Sequence, residues 1–172
     1  KDTICIQYRL DTMPLLPKAD VVITGYSTCD QPVLMKYDAT LIAHTPEPRL
    51  EAGVPVCYLN ERGDTIVPYG KYKFCQTDTI KGIGFVYEDK PRDARIVCIN
   101  DAGKKLFYVV ECDNGPDYVK EGLFRIMDEK GLMGFADSSG HIIITPQFKF
   151  AYPFEGGKAK VTFGIGTYIS ND

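Results

Sequence analysis

The chain has 172 residues, a formal net charge of −3, 44% hydrophobic and 25% charged residues, which is enough apolar material for one globular core or two small ones. Its Lys and Arg residues are scattered, so no basic stripe is offered to a phosphate backbone and nucleic acid is excluded as an expected partner. No apolar run reaches the ~18 to 20 residues that a membrane-spanning helix needs.

Taken in chain order, the elements predicted are strands. Ile4, Ile6, Tyr8 and Leu10 alternate with Cys5, Gln7 and Arg9, the period of two that suits a half-buried strand. Further apolar runs follow at Val21 to Thr24, Thr40 to Ala43, Val54 to Leu59, Ile83 to Tyr87, Arg95 to Ile99, Leu106 to Val110, Leu123 to Met127 and His141 to Thr145. Helical spacing is weak, because the segments around Asp11 to Lys18 and Asp117 to Glu121 are short or broken by proline. The expected fold class is therefore all-β, in repeated hairpin or meander units forming a stacked or curved sheet. Residues 1–52, rich in proline, are expected to form a small N-terminal β module or cap, either separate or a worn fourth copy. Residues 53–172 are expected to hold three copies, at about 54–90, 94–130 and 131–165.

The copies rest on two recurring glycines. Each opens with an apolar run, then Asn or Asp, two arbitrary residues and Gly: Asn60 with Gly63, Asn100 with Gly103, and Asp137 with Gly140. These glycines lie 40 and 37 residues apart (103 − 63 and 140 − 103), a period typical of stacked units. The second glycine of each copy is Gly82, Gly122 or Gly157. An Asn or Asp side chain accepts hydrogen bonds from backbone two residues on, and the glycine supplies the positive φ that closes a bulged hairpin. All nine residues are expected to be structural. Pro68 and Pro146 each follow an aliphatic strand and are expected to end its pairing, with the aromatics beyond them (Tyr72, Phe148 and Phe150) plugging the core.

Candidate chemistry is sparse. Six cysteines (5, 29, 57, 75, 98 and 112) form no C-x-x-C pair, and most sit in strand-like runs as small buried hydrophobes. His44 and His141 are far apart in sequence, each read as a solvated turn or connector residue. The nucleophile types in Tyr26 to Asp30 have no nearby base. The sharpest candidate metal site is Glu111, Asp113, Asn114 and Asp117, four oxygen-bearing side chains around one turn that suit a hard cation such as calcium. Their spacing is not that of a calcium loop, and Asn114-Gly115 also suits a plain hairpin, so no metal and no cofactor is assigned. Tyr69, Tyr72, Tyr87, Tyr108, Tyr118 and Tyr152 are candidates for an exposed binding surface, since tyrosine pairs a large apolar body with a polar tip.

The pattern resembles the WG-repeat family of short bacterial β repeats, over roughly residues 54–163. The third copy carries it best, with Met133-Gly134-Phe135-Ala136-Asp137, Gly140, Ile142 to Pro146, Phe154, Gly157, Ala159 and Val161. The first keeps Tyr58, Leu59, Asn60, Gly63, Pro68, Tyr72, Gly82 and Val86, with Val56-Cys57 where Trp-Gly is the family pattern. The second keeps Ile99, Asn100, Gly103, Gly122 and Ile126. All three lack tryptophan, as the whole chain does. The resemblance implies a β scaffold that presents a surface to a partner, often in exported or envelope proteins, with no catalytic function attached to the repeat. The expectation is a non-enzymatic protein-interaction module of the bacterial envelope. The alternatives are a glycan-binding module that uses exposed tyrosines and a hydrolase built from paired Asp and Glu. A chain beginning at Lys1 is expected to be a processed product whose leader has been removed, placing it in the periplasm, at the outer membrane or outside the cell.

Overall fold

The computed structural model describes residues 4–7, 39–49, 54–88 and 95–163. The regular structure among them is all strand: β1 (Ile4–Gln7), β2 (Thr40–His44), β3 (Cys57–Leu59), β4 (Thr65–Val67), β5 (Phe74–Cys75), β6 (Thr79–Lys81), β7 (Ile83–Glu88) and β8 (Arg95–Asn100). The second half continues with β9 (Lys105–Val109), β10 (Glu111–Cys112), β11 (Gly115–Pro116), β12 (Leu123–Met127), β13 (Met133–Asp137), β14 (Ile142–Phe148), β15 (Phe150–Ala151) and β16 (Lys158–Thr162). Eleven strands form one sheet in the order β14-β13-β12-β9-β8-β7-β6-β2-β3-β4, with β5 added on β7. A second sheet has the order β1-β16-β15, and β10 with β11 forms a separate small hairpin. No helix among the described residues is long and apolar enough to cross a membrane. The strand expected at Val21 to Thr24 and the segment Tyr26 to Asp30 lie outside the described residues.

Period-two alternation explains how the copies cover one another. On β8, Val97 and Ile99 join one core with Tyr58, Val67 and Tyr108. Ile96 and Cys98, on the opposite face of the same strand, join another with Phe107, Phe124 and Ile126. A third core collects Leu123, Phe135, Ile144, Phe148, Phe154 and Val161. Strand β12 is likewise shared, giving Leu123 to one core and Phe124 and Ile126 to its neighbour. A strand buried on both faces reads as continuous apolar sequence, which is how Arg95 to Ile99 and Leu123 to Met127 stand out. Strand β2, from the proline-rich segment, lies between β6 and β3 in the large sheet.

Two expectations about prolines and turns change. Pro68 does follow the end of β4, but β14 runs through Pro146 to Phe148. Among the described strands β14 is the sheet's edge, paired with β13 alone, so a missing N–H there is tolerated. The register also slips: Met133 faces Phe148 and Phe135 faces Ile144, leaving extra residues on β14 around the proline. The backbone bulge presses onto Gly134, where an added Cβ would lie 2.3 Å from the Ile144 carbonyl oxygen and 2.7 Å from the Pro146 nitrogen. Glycine at this position is thus a packing requirement. Of the three aromatics beyond the prolines, Tyr72 and Phe148 are buried, but Phe150 is exposed.

Candidate functional site

The three predicted turns share one hydrogen-bond pattern. The Asn60 Oδ1 accepts from the N–H of Arg62 and of Asp64, both at 2.9 Å, while Gly63 N–H donates to the Asn60 carbonyl at 3.0 Å. Asn100 Oδ1 accepts from Ala102 and Lys104, and Asp137 Oδ1 accepts from Ser139 and His141. Gly63, Gly103 and Gly140 take φ of 85°, 70° and 85°, the left-handed region that favours glycine. A fourth turn of this kind escaped the sequence reading: Asp128 Oδ1 accepts from Lys130 and Leu132, and Gly131 has φ 79°. Its signal was present in Asp128-x-x-Gly131, nine residues before Asp137 (137 − 128).

These glycines also set the stacking. A Cβ on Gly103 would meet Val67 at 2.8 Å and Ile66 at 3.0 Å, and one on Gly140 would meet Ile83 at 2.6 Å and Leu106 at 3.1 Å. The second and third turns therefore pack on strand residues that include the equivalent position of the preceding copy, Ile66 and Leu106, three residues after Gly63 and Gly103. The second glycines are alike as well: Gly82, Gly122 and Gly157 have φ of 81°, 79° and 71°. Glu121 bridges two of these turns, its carboxylate oxygens accepting from Gly156 N–H at 2.7 Å and Gly157 N–H at 2.8 Å.

Among the described residues no three His, Cys, Asp or Glu side chains are grouped so as to hold a metal ion, the candidate carboxylates Glu111, Asp113 and Asp117 included. Asp117 is buried and held by Arg125: Oδ2 accepts from the Arg125 N–H and Nε, both at 2.8 Å, and Oδ1 from Nη2 at 2.6 Å. Arg125 Nη1 then donates to the Ala151 carbonyl at 3.2 Å, tying the second copy to the third. Hydrogen bonding to Asp117 holds the Arg125 guanidinium above its usual range. Asp113 and Asn114, at φ 49° and 65°, are the central residues of the β10–β11 hairpin. The turn thus centres one residue earlier than the Asn114-Gly115 pair of the sequence reading. Glu111 is exposed at its base, and the charge of the Asp113 carboxylate, with the hydrogen bond it accepts from Tyr118 OH at 3.3 Å, raises the Tyr118 phenol.

The six tyrosines divide. Tyr72 and Tyr108 are core residues at 6% and 2% exposure, a correction to the expected surface role. Burying a large side chain stabilises by roughly 1.5–3 kcal/mol, and Tyr108 also donates to Glu88 at 3.0 Å under the Lys105 ammonium. Tyr87 is half-buried against Phe74 and donates to the Asn114 carbonyl. Tyr69 is exposed beside His44, with ring centroids 6.4 Å apart, and Tyr118 is exposed next to Val119. His141 is a solvated turn residue with Nδ1 3.3 Å from Asp137 Oδ2. Cys57, Cys75, Cys98 and Cys112 are free thiols, the first and third of them buried. Cys29 lies outside the described residues.

Tyr152 belongs to a surface that joins exposed aromatics with exposed lysines. Phe150 and Tyr152 are exposed and flank buried Ala151. Their rings meet edge to face with centroids 5.0 Å apart. On the neighbouring strand Lys158 and Lys160 are exposed while Ala159 and Val161 are buried. An open groove of about 560 Å³ is lined by Tyr152, Pro153, Glu155, Lys158, Lys160 and Thr162. Phe150 was expected in the core and is exposed instead, and the two lysines gave no signal in the sequence, since lysine is common in strands with one wet face.

The best-preserved copy, with its glycine-dependent opening strand, its Asp137 turn and its Gly157 turn, decides the family comparison. Residues 133–164 match the model of the WG containing repeat. The matched residues run from β13 to β16, and the two earlier copies share their turn hydrogen bonds and glycine conformations. Neither the curated proteins nor the solved structures compared with the chain give a match.

Proposed function

We propose that the protein is a non-enzymatic WG-repeat scaffold that binds a protein partner through the outer face of β15 and β16. The observation that carries this reading is the exposed pair Phe150 and Tyr152 beside the groove, on a face whose alternate residues already fill the core. Exposed aromatics next to cations suit a partner segment with an apolar anchor and an adjacent acidic residue. The ionisable groups support a structural rather than catalytic use: Asp117 is committed to Arg125, Glu88 to Tyr108, and Asp137 to its turn. The partner is placed in the bacterial envelope, where proteins carrying this repeat are often found; fractionation of the native host with an antibody to the protein tests that location.

The binding test is capture from an envelope extract by the full chain and by F150A/Y152A, with Y69A/Y118A as a control. Truncating a central aromatic costs ~2 kcal/mol or more, so the first variant loses roughly 30-fold in affinity for the captured protein and the control does not. Undiminished capture by F150A/Y152A would defeat the proposal. Retention on a glycan array that vanishes in Y152A would favour the sugar-binding alternative.

A further inference from the structure

Each copy hands over to the next in one fixed register. After Gly82, residues Ile83, Gly84, Phe85 and Val86 face Asn100, Ile99, Cys98 and Val97 of the following copy. After Gly122, residues Leu123, Phe124, Arg125 and Ile126 face Asp137, Ala136, Phe135 and Gly134. The residue after the second glycine always meets the Asn or Asp that opens the next turn. After Gly157, residues Lys158, Ala159, Lys160 and Val161 face Gln7, Ile6, Cys5 and Ile4. Strand β1, from the opposite end of the chain, therefore stands where a following copy would place its opening strand. The sequences agree position by position: Ile4-Cys5-Ile6-Gln7 against Val97-Cys98-Ile99-Asn100, with two identities, one β-branched exchange and one amide exchange. Three residues after Gln7 comes Leu10, where the copies have glycine. The strand is thus an opening strand without the glycine of its hairpin.

We propose that the edge of β16 away from β15 is a binding site for a repeat-opening strand, and that β1 is a built-in donor that fills it and closes the array. An unpaired strand edge is a template for another chain, and strand addition draws its affinity from main-chain hydrogen bonds. Tethering gives β1 an effective concentration on the order of millimolar, so an added strand competes poorly while β1 is in place.

The full-length variant C5P/I6P tests this. Successive N–H groups of a strand point to opposite sides, so the doublet removes a paired donor whichever one faces β16. The probe is a fluorescein-labelled peptide of residues 1–10, read by anisotropy. The doublet variant is expected to bind it about 100-fold more tightly than the wild type, and a peptide carrying the same two prolines is expected not to bind. Equal binding by both proteins, or by neither, overturns the proposal. Single-cysteine additions to the otherwise native chain check it independently of the prolines. Position 5 lies directly opposite position 160, at the ~4.5–5.5 Å Cα separation of an antiparallel pair, within disulfide range. K160C is expected to form an intramolecular bridge to Cys5 under mild oxidation, seen in non-reducing peptide mass maps, and K158C is not. A bridge between two chains, or equal bridging by K158C, counts against closure by the chain's own strand.

Discussion

Asp117→Ala would strip the Arg125 guanidinium of its two hydrogen bonds to Asp117, leaving it buried with the Ala151 carbonyl as partner, and would also remove the acceptor of the Arg125 backbone N–H. The Asp117 and Arg125 side chains are 2% and 11% exposed, so water cannot replace the lost partner without opening the junction between β12 and β15. Breaking a buried pair from one side costs about 3–5 kcal/mol, most of it from the stranded charge. With a urea m-value of roughly 2 kcal/mol/M, the unfolding midpoint should fall by about 2 M with m unchanged. Far-UV circular dichroism and tyrosine fluorescence follow the transition, the chain having no tryptophan. The double variant D117A/R125M removes the charge as well and fills its volume with an apolar side chain. It should recover all but about 1 kcal/mol, the remainder being the backbone N–H of Arg125 that Asp117 also satisfies. A midpoint shift below about 0.5 M for D117A, or a double variant less stable than the single, would refute the assignment of Asp117 and Arg125 as the clamp between the second and third copies.

Two further predictions concern single buried positions. Gly134→Ala should destabilise well beyond Gly63→Ala in the same urea assay: the first drives a Cβ into the backbone of β14, whereas the second meets nothing within 4 Å and bears only the positive-φ cost of about 1–2 kcal/mol. Equal losses would show that β14 does not press on that glycine. Burial pushes the Cys98 thiol from 9.0 up to about 12, so the native state keeps its proton at pH values where the unfolded chain gives it up. The resulting contribution to stability is fully present below about pH 9 and is lost as pH rises toward 12; C98A should flatten the fall of stability across that window, and an unchanged slope would count against the burial.

The sequence alone determined whatever closes within about five residues. Asn60, Asn100 and Asp137 with their glycines specified the turns, because the side-chain oxygen, the two N–H groups it binds and the left-handed residue all lie in one short segment. The apolar runs Arg95 to Ile99 and Leu123 to Met127 likewise marked strands, and the spacing of the glycines gave the three copies. Only the tertiary structure decided which residues those local pieces would face. Tyr108 and Tyr152 are both tyrosines in β-rich sequence, yet one fills a core and the other is open to solvent, because burial depends on strands brought from elsewhere. Asp117 resembled a cation ligand until β12 placed Arg125 against it, and Ile4 to Gln7 acquired its role only when the far end of the chain came alongside as β16. Hydrogen bonds within a turn are encoded by neighbours; register, burial and ion pairing depend on which distant segments fold together.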